Sequence, residues 1–110
     1  MNIKEYQEKA LRTINVRLTK KEQLSNLCMG LAGESGEVVD YIKKCMYHNH
    51  KLYKQKVIEE LGDLMWYLTN IATFLQIPMD IILNENIKKL EERYPDGFSE
   101  LNSINRKEYK

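Results

Sequence analysis

Two short stretches limit what this chain can fold into. Gly33-Glu34-Ser35-Gly36-Glu37 and Glu59-Glu60-Leu61-Gly62-Asp63 each set two carboxylates three residues apart, Glu34 with Glu37 and Glu60 with Asp63. Their neighbours Leu27, Leu31, Val38 and Tyr41, and Val57, Leu61, Leu64 and Leu68, recur at the spacing of one helix face. At about 100° per residue, Glu34 falls inside the apolar stripe of Leu27, Leu31, Val38 and Cys45, and Glu37 at its edge. Carboxylates thus occupy a line that core side chains would otherwise fill.

A carboxylate taken out of water must be protonated, wet or matched to a cation. Four of them from two helices repel one another unless positive charge sits between. Mg²⁺ is the economical candidate: it takes oxygen ligands, keeps several waters, and is commonly bound through carboxylates together with substrate phosphates. Gly30, Gly33 and Gly36 recur every three residues in the first of these segments. Each costs a helix about 1 kcal/mol relative to Ala, which suggests close approach by another backbone or a ligand; a helix break is the alternative.

The rest of the chain reads as helices around these two. Ile3, Tyr6, Ala10, Leu11 and Ile14 give a first amphipathic helix over 3–17, in which Gln7 and Thr13 carry no special reading. Thr19 and Glu22 form a capping-box pattern that opens a long second helix running to about Met46. The loop Tyr47-His48-Asn49-His50-Lys51 follows, its two histidines read as solvated rather than as ligands. The third helix, about 53–75, is apolar on most of its circumference, with Met65 and Trp66 turned away from the stripe Val57-Leu61-Leu64-Leu68-Leu75. A helix apolar all round needs cover on every side, so a homo-oligomer is expected, a monomer with the first helix and tail wrapped over Trp66 being the alternative. Pro78 begins a fourth helix over about 79–93 that buries Ile82, Leu83, Ile87 and Leu90, and Tyr94-Pro95-Asp96-Gly97 stops it. Residues 96–110 read as a polar, fraying tail. No segment alternates with period two, so the fold class is all-α: one domain over 1–110, a four-helix-type bundle of long antiparallel helices that oligomerises.

Composition narrows the function. A net charge of +1 provides no global field for a nucleic acid polymer or an anionic membrane, and no apolar run approaches a membrane span. Cys28 and Cys45 lie roughly 25 Å apart along one helix, beyond disulfide reach. Two reduced cysteines and an N-terminus without a leader-like apolar run fit a cytoplasmic protein. Asn86, Lys89 and Arg93, spaced i, i+3, i+7, form a donor stripe suited to phosphate oxygens, and Lys43 and Lys44 follow the first acidic pair; either group could equally be an exposed face.

Glu34-x-x-Glu37 followed by Glu60-x-x-Asp63 resembles the ExxE…ExxD signature of MazG-like nucleotide pyrophosphohydrolases, in the all-α NTP pyrophosphatase superfamily. Tyr6-Gln7, the run 30–37, the run 59–68, and Asn86-x-x-Lys89-Leu90 with Arg93-Tyr94-Pro95 extend the resemblance to the single-domain members over nearly the whole chain. It implies a homodimer or homotetramer, with Mg²⁺, or Mn²⁺ as substitute, held by Glu34, Glu37, Glu60 and Asp63. The implied reaction takes a (deoxy)nucleoside triphosphate to its monophosphate and pyrophosphate, in nucleotide-pool house-cleaning. Lys89 and Arg93 are then expected to hold the β and γ phosphates, with Asn86 and Lys43 in support, and Glu37 or Glu34 to act as the base. Two rivals are weighed. A di-iron bundle needs Glu-x-x-His pairs that the chain lacks, and a non-catalytic helical module binding a nucleotide or a protein would leave the acids as surface charge.

Overall fold

The computed structural model describes residues 1–109, which contain five α-helices and no strand. These are α1 (Ile3–Leu11), α2 (Lys20–Tyr47), α3 (Lys54–Phe74), α4 (Met79–Arg93) and α5 (Glu100–Asn105), followed by a 3-10 turn, Lys107–Tyr109. Among the described residues no helix is long and apolar enough to cross a membrane.

Local chemistry sets most boundaries. The Asn2 side chain accepts the Glu5 N–H at 2.9 Å to start α1. Thr19 and Glu22 close the expected capping box reciprocally, Glu22 N–H on Thr19 Oγ1 and Thr19 N–H on Glu22 Oε1. Two boundaries escape the sequence pattern. α1 stops at Leu11 rather than near residue 17, because the Ala10 carbonyl accepts from Asn70 Nδ2 on α3 and from the Thr13 hydroxyl. α3 ends in a Schellman motif: Gln76 takes a left-handed φ of 60°, and the N–H groups of Gln76 and Ile77 donate to Thr73 and Ala72.

Gln7, unremarked by composition, joins three elements. Its amide donates to Thr73 Oγ1 at 3.1 Å and to the Ile77 carbonyl at 3.0 Å, and its Oε1 accepts the Met79 N–H at 2.9 Å. That last bond satisfies one of the orphan donors at the start of α4, whose N-cap, Pro78, offers no side-chain oxygen.

α2 and α3 make the largest helix pairing, α1 lies across α3 and α4, and the C-terminal turn packs on α4. The tail therefore folds where fraying was expected. Glu108, its side chain 3% exposed, pairs with Nε and Nη2 of Arg93, while Ser99 caps α5 by accepting the Asn102 N–H.

The expected apolar stripes are only partly covered. The buried residues of α3 are Thr69, Asn70 and Ala72, whereas Leu61, Leu68 and Leu75 are exposed; on α4 Met79 is buried, but Leu83 and Ile87 are exposed. The reason is layout. Among the described residues α2 packs chiefly on α3, α3 also on α1, and α4 on α1 and the C-terminal turn, so no helix other than α3 packs broadly on α2.

Truncating Gln7 to Ala removes three hydrogen bonds across helix junctions and leaves the Met79 N–H unsatisfied. Urea denaturation is expected to show a loss of about 2–3 kcal/mol; a change within about 0.5 kcal/mol, typical of an ordinary surface site, would contradict the clamp.

Candidate active site

The acidic motifs face each other because both ends of the α2–α3 hairpin are fixed. At one end Gly30 packs on the Tyr67 ring so closely that a Cβ there would overlap the ring atoms. The neighbour is a side-chain ring, where the glycine periodicity suggested a backbone or a ligand. Within this chain Gly33 and Gly36 instead face open space. At the other end the Tyr41 hydroxyl donates to the Lys51 carbonyl at 3.2 Å and accepts the Tyr53 N–H at 2.9 Å, binding the connecting loop to α2.

Between these fixed points Glu34 from α2 and Glu60 and Asp63 from α3 converge. One carboxylate oxygen of each lies within 4.8 Å of the others. Glu34 and Glu60 are half-buried and Asp63 is exposed. No Lys or Arg among the described residues forms an ion pair with any of the three. Loss of water, then the charges of Asp63, Glu60 and Glu37, push the Glu34 carboxyl above its ordinary value. Burial and the same Asp63 raise the phenol of Tyr6, which puts α1 beside the acids. Three crowded oxygens without a protein cation have the donor chemistry of a site for a hard divalent ion, and they fit Mg²⁺.

The fourth acid, Glu37, stands outside the trio, exposed one turn further along α2. Its charge acts on Glu34, and its side chain lines a small cavity with Asp40, Tyr41, Lys44, His50 and Lys56.

The expected phosphate donors lie elsewhere within one chain. Lys43 pairs with Asp40 at 3.2 Å, and Lys44 with the other oxygen of Asp40 at 2.9 Å. Arg93 is engaged by Glu108. Asn86 and Lys89 line a separate cleft with Glu85, Glu108 and Tyr109, because α4 packs against α1 and the C-terminal turn. Helical spacing put these residues on one stripe, but not against the acids. Conversely, Lys56 was passed over although it precedes Glu60 by four residues, a spacing that puts both on one face. Trp66 is half-buried, edge-on to Tyr67, and its indole N–H donates to Thr13 Oγ1 at 2.9 Å. The segment leaving the first helix thus reaches it. Cys28 and Cys45 are both free.

Residues 22–98 match the family model described as MazG nucleotide pyrophosphohydrolase domain. The chain belongs to the MazG family. It is 33% identical over 89 residues to the gene 37 protein of Mycobacterium phage L5, an alignment covering 77% of this chain and 78% of that protein. No solved structure matches it significantly. Both MazG acidic pairs fall inside the matched region, as does α4, whereas α1 and the C-terminal turn lie outside it.

The raised pKa of Glu34 gives a stability signature. A carboxyl that holds its proton more tightly when folded weakens the fold as pH rises from its ordinary 4.5, and the penalty is complete above the folded-state value. In metal-free buffer Glu34→Gln is expected to melt higher than the parent near pH 7 and to show a smaller gain, or none, near pH 4. Equal or lower melting near pH 7 would contradict the crowding of the three acids.

Proposed function

We propose that this MazG-family chain hydrolyses (deoxy)nucleoside triphosphates to the monophosphate and pyrophosphate, in a nucleotide-pool house-cleaning role, with Mg²⁺ held by Glu34, Glu60 and Asp63 and bordered by Glu37. The observation that carries this reading is the convergence of three unpaired carboxylates from two helices, inside the segment that matches the family. Bound there, Mg²⁺ supplies Lewis-acid polarisation of phosphate oxygens and lowers the pKa of its water. Glu37 or Glu34 takes the proton of the attacking water. Water oxygen bonds to the α-phosphorus, and the bond to the α–β bridging oxygen breaks, releasing pyrophosphate.

The working form is a homo-oligomer, a dimer or a pair of dimers. The chain exposes 8619 Å², against about 6,400 Å² for a folded monomer of its mass. Its radius of gyration is 17.2 Å, where about 13 Å is typical of 110 residues. Val39, Ile58 and Ile87 are all more than half exposed, so a second copy laid on the bare side of the hairpin removes the excess. Asn86 and Lys89, which in one chain line a different cleft, then serve a triphosphate held on a neighbouring copy, and Arg93 joins them where Glu108 is displaced.

A panel of standard and modified nucleoside triphosphates, assayed with Mg²⁺ for pyrophosphate release, is expected to contain at least one substrate. Its turnover should fall about a hundredfold or more in Glu60→Gln. If no member of the panel is turned over, and Glu60→Gln leaves nucleotide affinity and the Mg²⁺-dependent rise in melting temperature unchanged, the acids are surface charge and the chain is a binding module. Sedimentation at micromolar concentration is expected to give a dimer or larger, and a monomer would contradict the assembly.

A further inference from the structure

The polar seam of the hairpin does not end at the acids. Along α2 the residues facing α3 run Gly30, Glu34, Glu37, Tyr41 and Lys44, and along α3 they run back Tyr67, Asp63, Glu60 and Lys56. One turn beyond the carboxylates, toward the loop, Glu37, Asp40, Tyr41, Lys44, His50 and Lys56 enclose a cavity of about 130 Å³. It is small, polar and built on a fixed floor, because both hydrogen-bonding roles of the Tyr41 hydroxyl are taken by the loop backbone. The His50 N–H donates to the Lys44 carbonyl at 3.2 Å, which holds that histidine at the rim.

Its cations are unevenly committed. Asp40 spends one oxygen on Lys43 and the other on Lys44. Lys56 has no carboxylate partner among the described residues and lies with Nζ 5.0 Å from the centre of the Tyr41 ring. A free ammonium over an aromatic floor, with an imidazole at the rim, is a receptor for an anion with several oxygens. One helical turn, about 5.4 Å, separates it from the acids along α3, a span comparable with the reach from the first to the last phosphorus of a triphosphate.

We propose that Lys56 and His50, with Lys44, receive the terminal phosphates of the triphosphate and retain the pyrophosphate after cleavage. This rests on the hydrolase reading and gives the substrate a direction. The β and γ phosphates point to the loop 48–53, the α-phosphorus lies at the carboxylates, and the nucleoside points toward Tyr67 and Trp66. The electron pair of the breaking bond goes to the bridging oxygen and leaves with pyrophosphate. The Lys56 ammonium keeps its proton and neutralises part of that charge, while the attacking water enters opposite the leaving group and its proton goes to Glu34, on the side of the α-phosphorus away from the cavity.

Calorimetric titration of the full chain with pyrophosphate, in the presence of Mg²⁺, tests the assignment without turnover. Lys56→Gln is expected to weaken pyrophosphate binding about tenfold, as the loss of one charged hydrogen bond does. Lys56→Arg should restore most of it, and the affinity for AMP and the Mg²⁺-dependent rise in melting temperature should stay as in the parent. His50→Gln should weaken pyrophosphate binding in the same sense, and this variant carries the test if Lys56→Gln does not fold. Parental pyrophosphate affinity in the folded variants, or an equal loss of AMP affinity, overturns the proposal. Failure of the hydrolase reading shows separately, as absence of triphosphate turnover by the unaltered chain.

Discussion

Mutual repulsion among Glu34, Glu60 and Asp63 is the interaction that the rest of the structure has to overcome. Each carboxylate is placed by a helix whose other contacts hold it against its like, and no Lys or Arg among the described residues pairs with them. The helices stay together because the penalty is local and the restraint distributed. Leu27 is fully buried on α2, Gly30 lets the backbone approach the Tyr67 ring, and Tyr41 holds the loop. A hairpin closed at both ends cannot relax by splaying, and its Glu34 carboxyl holds its proton more tightly than an ordinary one. For a cation that binds there, the ordering cost of gathering the three oxygens falls on folding and not on binding.

The remaining elements make sense as support for this hairpin. α1 crosses α3 and brings Tyr6 beside Asp63 and Thr13 beside Trp66. Gln7 sets how α4 leaves the end of α3. The C-terminal turn then occupies Arg93 through Glu108, which has one oxygen buried without a partner. Around this support many large apolar side chains stay in water, Val39, Ile58 and Ile87 among them.

What the sequence discloses follows from the range of the interactions involved. The capping box at Thr19 and Glu22, the start of α4 after Pro78 and the facing of Glu34 with Glu60 and Asp63 depend on residues close in sequence or on helical period, and were legible. The early end of α1 was not, because it is caused by Asn70, sixty residues away, bonding the Ala10 carbonyl. The folded tail was hidden for the same reason: Glu108 matters only because Arg93 lies under it. The donor stripe of α4 shows the limit from the other side. Period placed Asn86, Lys89 and Arg93 on one face correctly, but which neighbour that face meets is a property of tertiary packing. Lys56, four residues before Glu60, shares its helix face, a placement that the spacing alone carries.

The central claim is that these three carboxylates form one cation site shared by two helices. Anomalous diffraction from crystals grown with Mn²⁺ addresses it directly, since Mn²⁺ accepts the same oxygen ligands and reveals its own position. The account predicts an anomalous peak between α2 and α3, bonded to oxygens of Glu34, Glu60 and Asp63 together. Peaks only at other surface carboxylates, with these three side chains turned apart into solvent, would contradict it.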